Sequence, residues 1–169
     1  MPSSSQSIIS SAKGNNKPFT RQARNKLLGA IGEYQAKHYL ESELNWSILD
    51  SNWHHSRLAE IDIIARTPSK EFSFIEVKTR ISYADDSLNS AFETINNLKR
   101  SRLLRAARHY LIEKNLPYSQ MRFDLIVIEY PVHAWTHIYQ LFSRGLTTSQ
   151  VATALPSPAI IHVENALAP

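Results

Sequence analysis

A chain of 169 residues with 43% hydrophobic and 20% charged residues has the composition of a folded globular protein, and at this length about two-thirds of the unfolded surface is buried without covalent staples. Cysteine is absent, which excludes a disulfide framework, a thiol nucleophile and Cys-ligated zinc or iron–sulfur centres. The net charge is +4; no apolar run approaches the ~20 residues of a membrane span and no apolar N-terminal segment resembles a secretory signal, so a cytoplasmic protein is expected.

Residues 1–19 are serine-rich and basic, include Gly14-Asn15-Asn16 and Pro18, and show no periodicity. They are expected to form a disordered tail, with only a faint likeness to a transit peptide. From Thr20 to Glu43, Leu28, Gly32, Ala36, Tyr39 and Leu40 recur on one face of a 3.6-residue repeat, which predicts a helix. Trp46–Trp53 reads as a short strand, its second half weakened by Asp50-Ser51-Asn52. Leu58–Arg66 and Phe72–Arg80 are strands rich in Ile, Phe and Val, joined by the hairpin loop Thr67–Glu71.

A polar stretch, Ser82–Ser90, precedes a second helix over about Thr94–Asn115, ended by Asn115 and Pro117. Arg122–Tyr130 is apolar on both alternating faces and predicts a doubly buried strand. In the segment 131–159, Trp135–Phe142 is expected as a strand and Thr148–Leu155 as a short helix. Ile160–Val163 is the last strand. The order helix, three strands, helix, strand predicts an α/β fold, a mixed central sheet flanked by helices, in one domain over 20–169.

Charge is clustered. Lys13, Lys17, Arg21, Arg24 and Lys26 precede the first acid, and Lys99, Arg100, Arg102, Arg105 and Arg108 form a second basic group. On the second helix Leu103, Ala107, Tyr110 and Leu111 make the apolar face. Arg102, Arg105 and Arg108 step by three along the opposite side. With Lys99 they are candidate contacts to a nucleic-acid backbone. A solubilising helix face accounts for the charge pattern equally well.

Chemistry concentrates at the hairpin. Glu76 and Lys78, two apart on a strand, share a face. Symmetry about Ser69 pairs Arg66 with Phe72, Ile64 with Phe74, Asp62 with Glu76 and Glu60 with Lys78. Directly opposed carboxylates destabilise a sheet, and a hard divalent cation such as Mg²⁺ would compensate them. Lys78 could orient or deprotonate an attacking water, or counter charge on a phosphoryl oxygen. Glu33 falls on or beside the first helix's apolar stripe, where a carboxylate needs a partner. Spacing alone also allows a solvated hairpin face.

Gly32-Glu33-x-x-Ala36-x-x-Tyr39-Leu40, Asn52-Trp53, Glu60-Ile61-Asp62-Ile63-Ile64-Ala65 and Phe74-Ile75-Glu76-Val77-Lys78-Thr79-Arg80 follow in the order of the YraN-like family. Lys99-x-x-Arg102-Leu103, Ala106-Ala107, Tyr110-Leu111, Phe123-Asp124 and His162-Val163-x-Asn165-Ala166 extend the resemblance. These uncharacterised bacterial proteins are similar to Holliday junction resolvases of the PD-(D/E)xK restriction-endonuclease-like superfamily.

The resemblance implies a restriction-endonuclease-like core and a metal-dependent endonuclease acting on structured DNA. It implies metal ligands at Asp62, Glu76 and the Val77 carbonyl, with Mg²⁺ or Mn²⁺ bound. It also implies a catalytic lysine at Lys78, a helix-borne glutamate at Glu33, and a homodimer by analogy. Three departures stand out: Ala59 where the family usually has Gly, a recast turn over Ile81–Ser90, and a longer connection over 131–159, expected to be an insertion.

A non-catalytic nucleic-acid-binding protein that keeps the fold is the rival class, and a protein-interaction module a third. His133 and His137 lack the Glu of a zinc-protease helix and are expected as same-face strand neighbours rather than zinc ligands. His54-His55 is expected in a loop. No P-loop, dinucleotide fingerprint or G-x-S-x-G is present.

Overall fold

In a computed structural model of the chain, the described residues are 20–55, 59–82 and 97–166. The expected N-terminal tail, the start of the second helix and most of the polar stretch after Arg80 lie outside them. The described elements are α1 (Arg21–Ser42), β1 (Ser47–His55), β2 (Ala59–Arg66), β3 (Phe72–Ser82), α2 (Asn97–Glu113), β4 (Met121–Pro131), α3 (Ala134–Ser143), α4 (Thr148–Ala154) and β5 (Ala159–Val163).

The five strands form one mixed sheet in the order β1-β2-β3-β4-β5. All neighbours are antiparallel except β3 and β4, which are parallel. Parallel neighbours cannot be joined by a tight turn and need a crossover; α2 lies in that connection. The expected α/β architecture, a mixed sheet flanked by helices, is what the chain adopts.

The helices cover opposite faces. Leu27, Leu28, Ile31, Ala36 and Leu40 of α1 pack with Ile63, Ala65, Ile75, Val77, Ile126 and Ile128. Leu103, Ala107, Tyr110 and Leu111 of α2 pack with Ile61, Ile64, Phe72, Phe74 and Phe123 on the other side. Both apolar stripes therefore do what their spacing predicts. Thr20 caps α1, its side chain accepting from the Ala23 N–H at 3.2 Å. Asn115 follows α2 with φ +57°, the left-handed geometry that ends a helix and that Asn tolerates. β4 is buried on both faces along most of its length, as expected.

Three local expectations are corrected. Trp135–Phe142 is not a strand: Ala134–Ser143 is helical, with Ala134 and Ile138 fully buried. Trp135, His137, Tyr139 and Leu141 alternate, but Ala134, Ile138 and Leu141 recur at i, i+4 and i+7, and burial follows that second pattern. Gly145 (φ +81°) then ends the helix, its N–H and that of Leu146 capping Phe142 and Leu141. His133 and His137 are accordingly exposed helical neighbours, not strand partners.

Residues 131–159 are also more than an appended insertion. Ala134, Ile138, Val151, Ala152 and Leu155 join the core beneath α1, and Thr147 and Gln150 close a capping box at the start of α4. Lastly, β1 runs through His54 and His55, which pair with Glu60 and Ala59 instead of lying in a loop. The strand absorbs its polar middle through an irregularity between Ile48 and Asp50 and a left-handed Asn52 (φ +52°).

Candidate active site

The β2–β3 ladder contains Arg66–Phe72, Ala65–Ser73, Ile64–Phe74 and Ile63–Ile75, the register that symmetry about Ser69 predicts. It stops one step short of Asp62 and Glu76. There the Asp62 carboxylate substitutes for a backbone acceptor: its Oδ2 takes a 2.7 Å hydrogen bond from the Val77 N–H. The two acids are thus neighbours at the end of the ladder rather than a directly opposed pair. Glu60 does not meet Lys78; it pairs with His54, its carboxylate 3.5 Å from Nε2.

Alternation along β3 puts Glu76 and Lys78 on the face of Phe72 and Phe74, under α2. Glu76 is 6% exposed. Its Oε1 accepts from Lys78 Nζ and, at 2.5 Å, from Lys99 Nζ of α2. A buried carboxylate persists only with such partners.

Asp62 is less well compensated. Burial, then the charge of Glu76, push its carboxyl from 3.8 up to about 7; the Val77 N–H and Lys78 pull the other way, and Glu33 adds a further upward push. Glu33, on α1, is thus near enough for its charge to reach Asp62. α1 comes close to β3 at this point because of Gly32: a Cβ at that position would lie 1.6 Å from Thr79 Oγ1, so no larger residue allows so close an approach. For Lys78, burial would lower the ammonium pKa, but the charge and hydrogen bond of Glu76, with Asp62 behind them, hold it above its ordinary value.

The structure thus brings Asp62, Glu76 and Lys78 together, while Glu33 on α1 reaches Asp62 only through its charge. Val77 contributes its N–H, while its side chain enters the core under α1. Lys99 does not lie in the row assigned to it: Arg102, Arg105 and Arg108 are exposed, whereas Lys99 is half-buried against Glu76. A signal for this was present, since Lys99 stands four residues before Leu103 and extends the apolar stripe by one turn.

A second buried polar group has no role in the sequence-based expectations. Asp124 accepts from Ser73 Oγ (2.8 Å), Arg122 Nη2 (2.9 Å) and the Asn165 N–H (3.0 Å), with His162 Nε2 at 3.1 Å. Burial acts to raise its carboxyl, but these four hydrogen bonds outweigh it and hold the pKa below the usual carboxylate range. The group fastens β5 and the turn after it to β3 and β4. Arg122-x-Asp124, two apart on a strand, was its legible trace.

Among the described residues, no three His, Cys, Asp or Glu side chains gather to hold an ion by themselves. A carboxylate pair does suit Mg²⁺ or Mn²⁺, since Mg²⁺ keeps several waters and takes one or two carboxylates. Burial first, and the charge of Glu76 next, raise the Asp62 carboxyl, and an ion shared by the two carboxylates would favour its ionised form. No helix among the described residues is long and apolar enough to cross a membrane.

The family model described as "Uncharacterised protein family UPF0102" matches residues 32–128. A UPF0102 protein of Bifidobacterium longum is 36% identical over 105 residues, covering 61% of this chain and 81% of the relative. One of Alkaliphilus oremlandii is 38% identical over 107 residues, 62% and 86% of the two chains. One of Clostridium perfringens is 39% identical over 108 residues, 64% and 84%. The matched span contains Glu33, Asp62, Glu76, Lys78 and Lys99 and leaves out α3, α4 and β5.

Proposed function

This chain belongs to the uncharacterised protein family UPF0102, and from that premise we propose that it is a metal-dependent endonuclease hydrolysing phosphodiester bonds of branched or otherwise structured DNA. The observation that carries the reading is the convergence of Asp62 and Glu76 beside Lys78 where the β2–β3 ladder ends. The resemblance to junction resolvases supplies the reaction class. An ion held by Asp62 and Glu76, with the Val77 carbonyl, would supply positive charge opposite the phosphoryl oxygens in the transition state.

The chain's own groups have distinct parts. In the ion-free chain burial lowers the Lys78 pKa but Glu76 outweighs it, and the ammonium is suited to orient the attacking water or stabilise charge on the phosphate. Glu33 on α1, whose charge reaches Asp62, would add to the acidic rim and orient water. Arg102, Arg105 and Arg108 are exposed and suit the flanking phosphates. Cutting both strands of a junction calls for two such sites, which a homodimer would provide.

The test is cleavage of a four-way junction with Mg²⁺ by the wild type, Asp62→Ala and Lys78→Ala. Losses of at least about 100-fold are expected in both variants, the scale on which a transition-state donor acts. Equal cleavage by all three would discard the assignment. Binding without product in Mg²⁺ or Mn²⁺ would establish the non-catalytic nucleic-acid-binding protein instead.

A further inference from the structure

Two ammonium groups share one oxygen of Glu76. Lys78 is fixed beside it on the same strand, whereas Lys99 arrives from a different element, in the first turn of α2. Bound to the same oxygen, the two ammonium groups lie close to each other. With two ammonium groups already at Glu76, a divalent ion entering between Glu76 and Asp62 would repel both. Lys99 is the one with somewhere to go. It is one helical turn from Arg102, which is exposed, and Arg105 follows at the same spacing.

We propose that Lys99 is the positioning residue that couples metal binding to DNA binding: it occupies Glu76 while the ion is absent and moves to a DNA phosphate when the ion enters. This rests on the metal-site reading above. Coupling of this kind is reciprocal, so DNA raises metal affinity by the factor by which metal raises DNA affinity. Lys99→Met removes the competing charge and leaves Glu76 paired with Lys78; Lys99→Arg keeps the charge.

Calorimetric titration with Mn²⁺ alone, and again with a non-cleavable phosphorothioate DNA junction present, separates the possibilities. Without DNA, Lys99→Met binds Mn²⁺ about ten-fold more tightly than the wild type, a difference of about 1.4 kcal/mol, and Lys99→Arg behaves like the wild type. With DNA, the wild-type affinity rises and that of Lys99→Met does not. Equal Mn²⁺ affinity in the wild type and Lys99→Met, or weaker binding in Lys99→Met, overturns the role of Lys99 while leaving the metal site standing. No Mn²⁺ binding by any of the three proteins overturns both.

Discussion

Asp62 shows how one residue can be costly to the fold and useful at the site. Its carboxyl is raised from 3.8 to about 7, first by burial and next by Glu76, so the folded chain holds this proton more tightly than the unfolded chain does. The sign follows directly. Below pH 3.8 both states are protonated and Asp62 has no effect. As pH rises from there through about 7, ionisation in the folded state costs stability, by at most about 4 kcal/mol for a rise of this size. Asp62→Asn should therefore raise the melting temperature at about pH 8 and leave it nearly unchanged at about pH 4. Metal-free thermal melts at the two pH values measure this, and an Asn effect independent of pH would contradict it. Asp62, Glu76 and Lys78 were legible as a pattern because E-x-K on a strand fixes a shared face. The end of the ladder at Ile63–Ile75 was not, since nothing local says where two strands part.

Among the elements, α2 divides its charge between two tasks. Its apolar stripe turns Lys99 inward to Glu76, and Arg102, Arg105 and Arg108 stay in solvent. Replacing Arg102, Arg105 and Arg108 together by Gln should leave the melting temperature nearly unchanged and weaken DNA binding. The slope of log affinity against log salt should fall by about 0.9 for each phosphate that the row no longer neutralises. Fluorescence anisotropy across a salt series reads both quantities, and an unchanged slope would assign the row to solubility alone. α3 carries the opposite lesson. Trp135, His137, Tyr139 and Leu141 alternate as in a strand, yet Ala134 and Ile138 are fully buried at helical spacing. The decision came from the core under α1, where a helix seats those two residues together and a strand would point them the same way but too far apart to fill one site. The polar Trp46–Trp53 stretch forms a strand for a similar reason: pairing with β2 outweighs weak local propensity.

For the molecule as a whole, two buried carboxylates pull the pH dependence of stability in opposite directions. Asp124 is held below its ordinary value by His162, Arg122, Ser73 and the Asn165 N–H, which outweigh burial. Its contribution is present above pH 3.8 and is lost as pH falls through the depressed folded value. Asp62 destabilises increasingly from 3.8 to about 7. From these two groups the metal-free protein should be most stable near pH 3.8 and lose stability towards about 7, and Mg²⁺ should move the maximum towards neutrality by relieving Asp62. Melting temperatures from about pH 3 to about pH 9, with and without Mg²⁺, map the curve; a maximum that ignores Mg²⁺ would count against an ion at Asp62. By itself the chain's residue order determined the helices α1 and α2, the hairpin and the doubly buried β4, because side-chain periodicity within one element decides which face is apolar. It also marked Asp62, Glu76 and Lys78 as candidates. Only the tertiary structure decided that Lys99 belongs to Glu76, that Asp62 bonds Val77 in place of a ladder partner, and that Asp124 gathers groups from β3, β4, β5 and the turn beyond. Those outcomes depend on how separate elements approach one another: spacing within one element shows which side chains can turn inward, as for Lys99 and Asp124, but not which partner they meet.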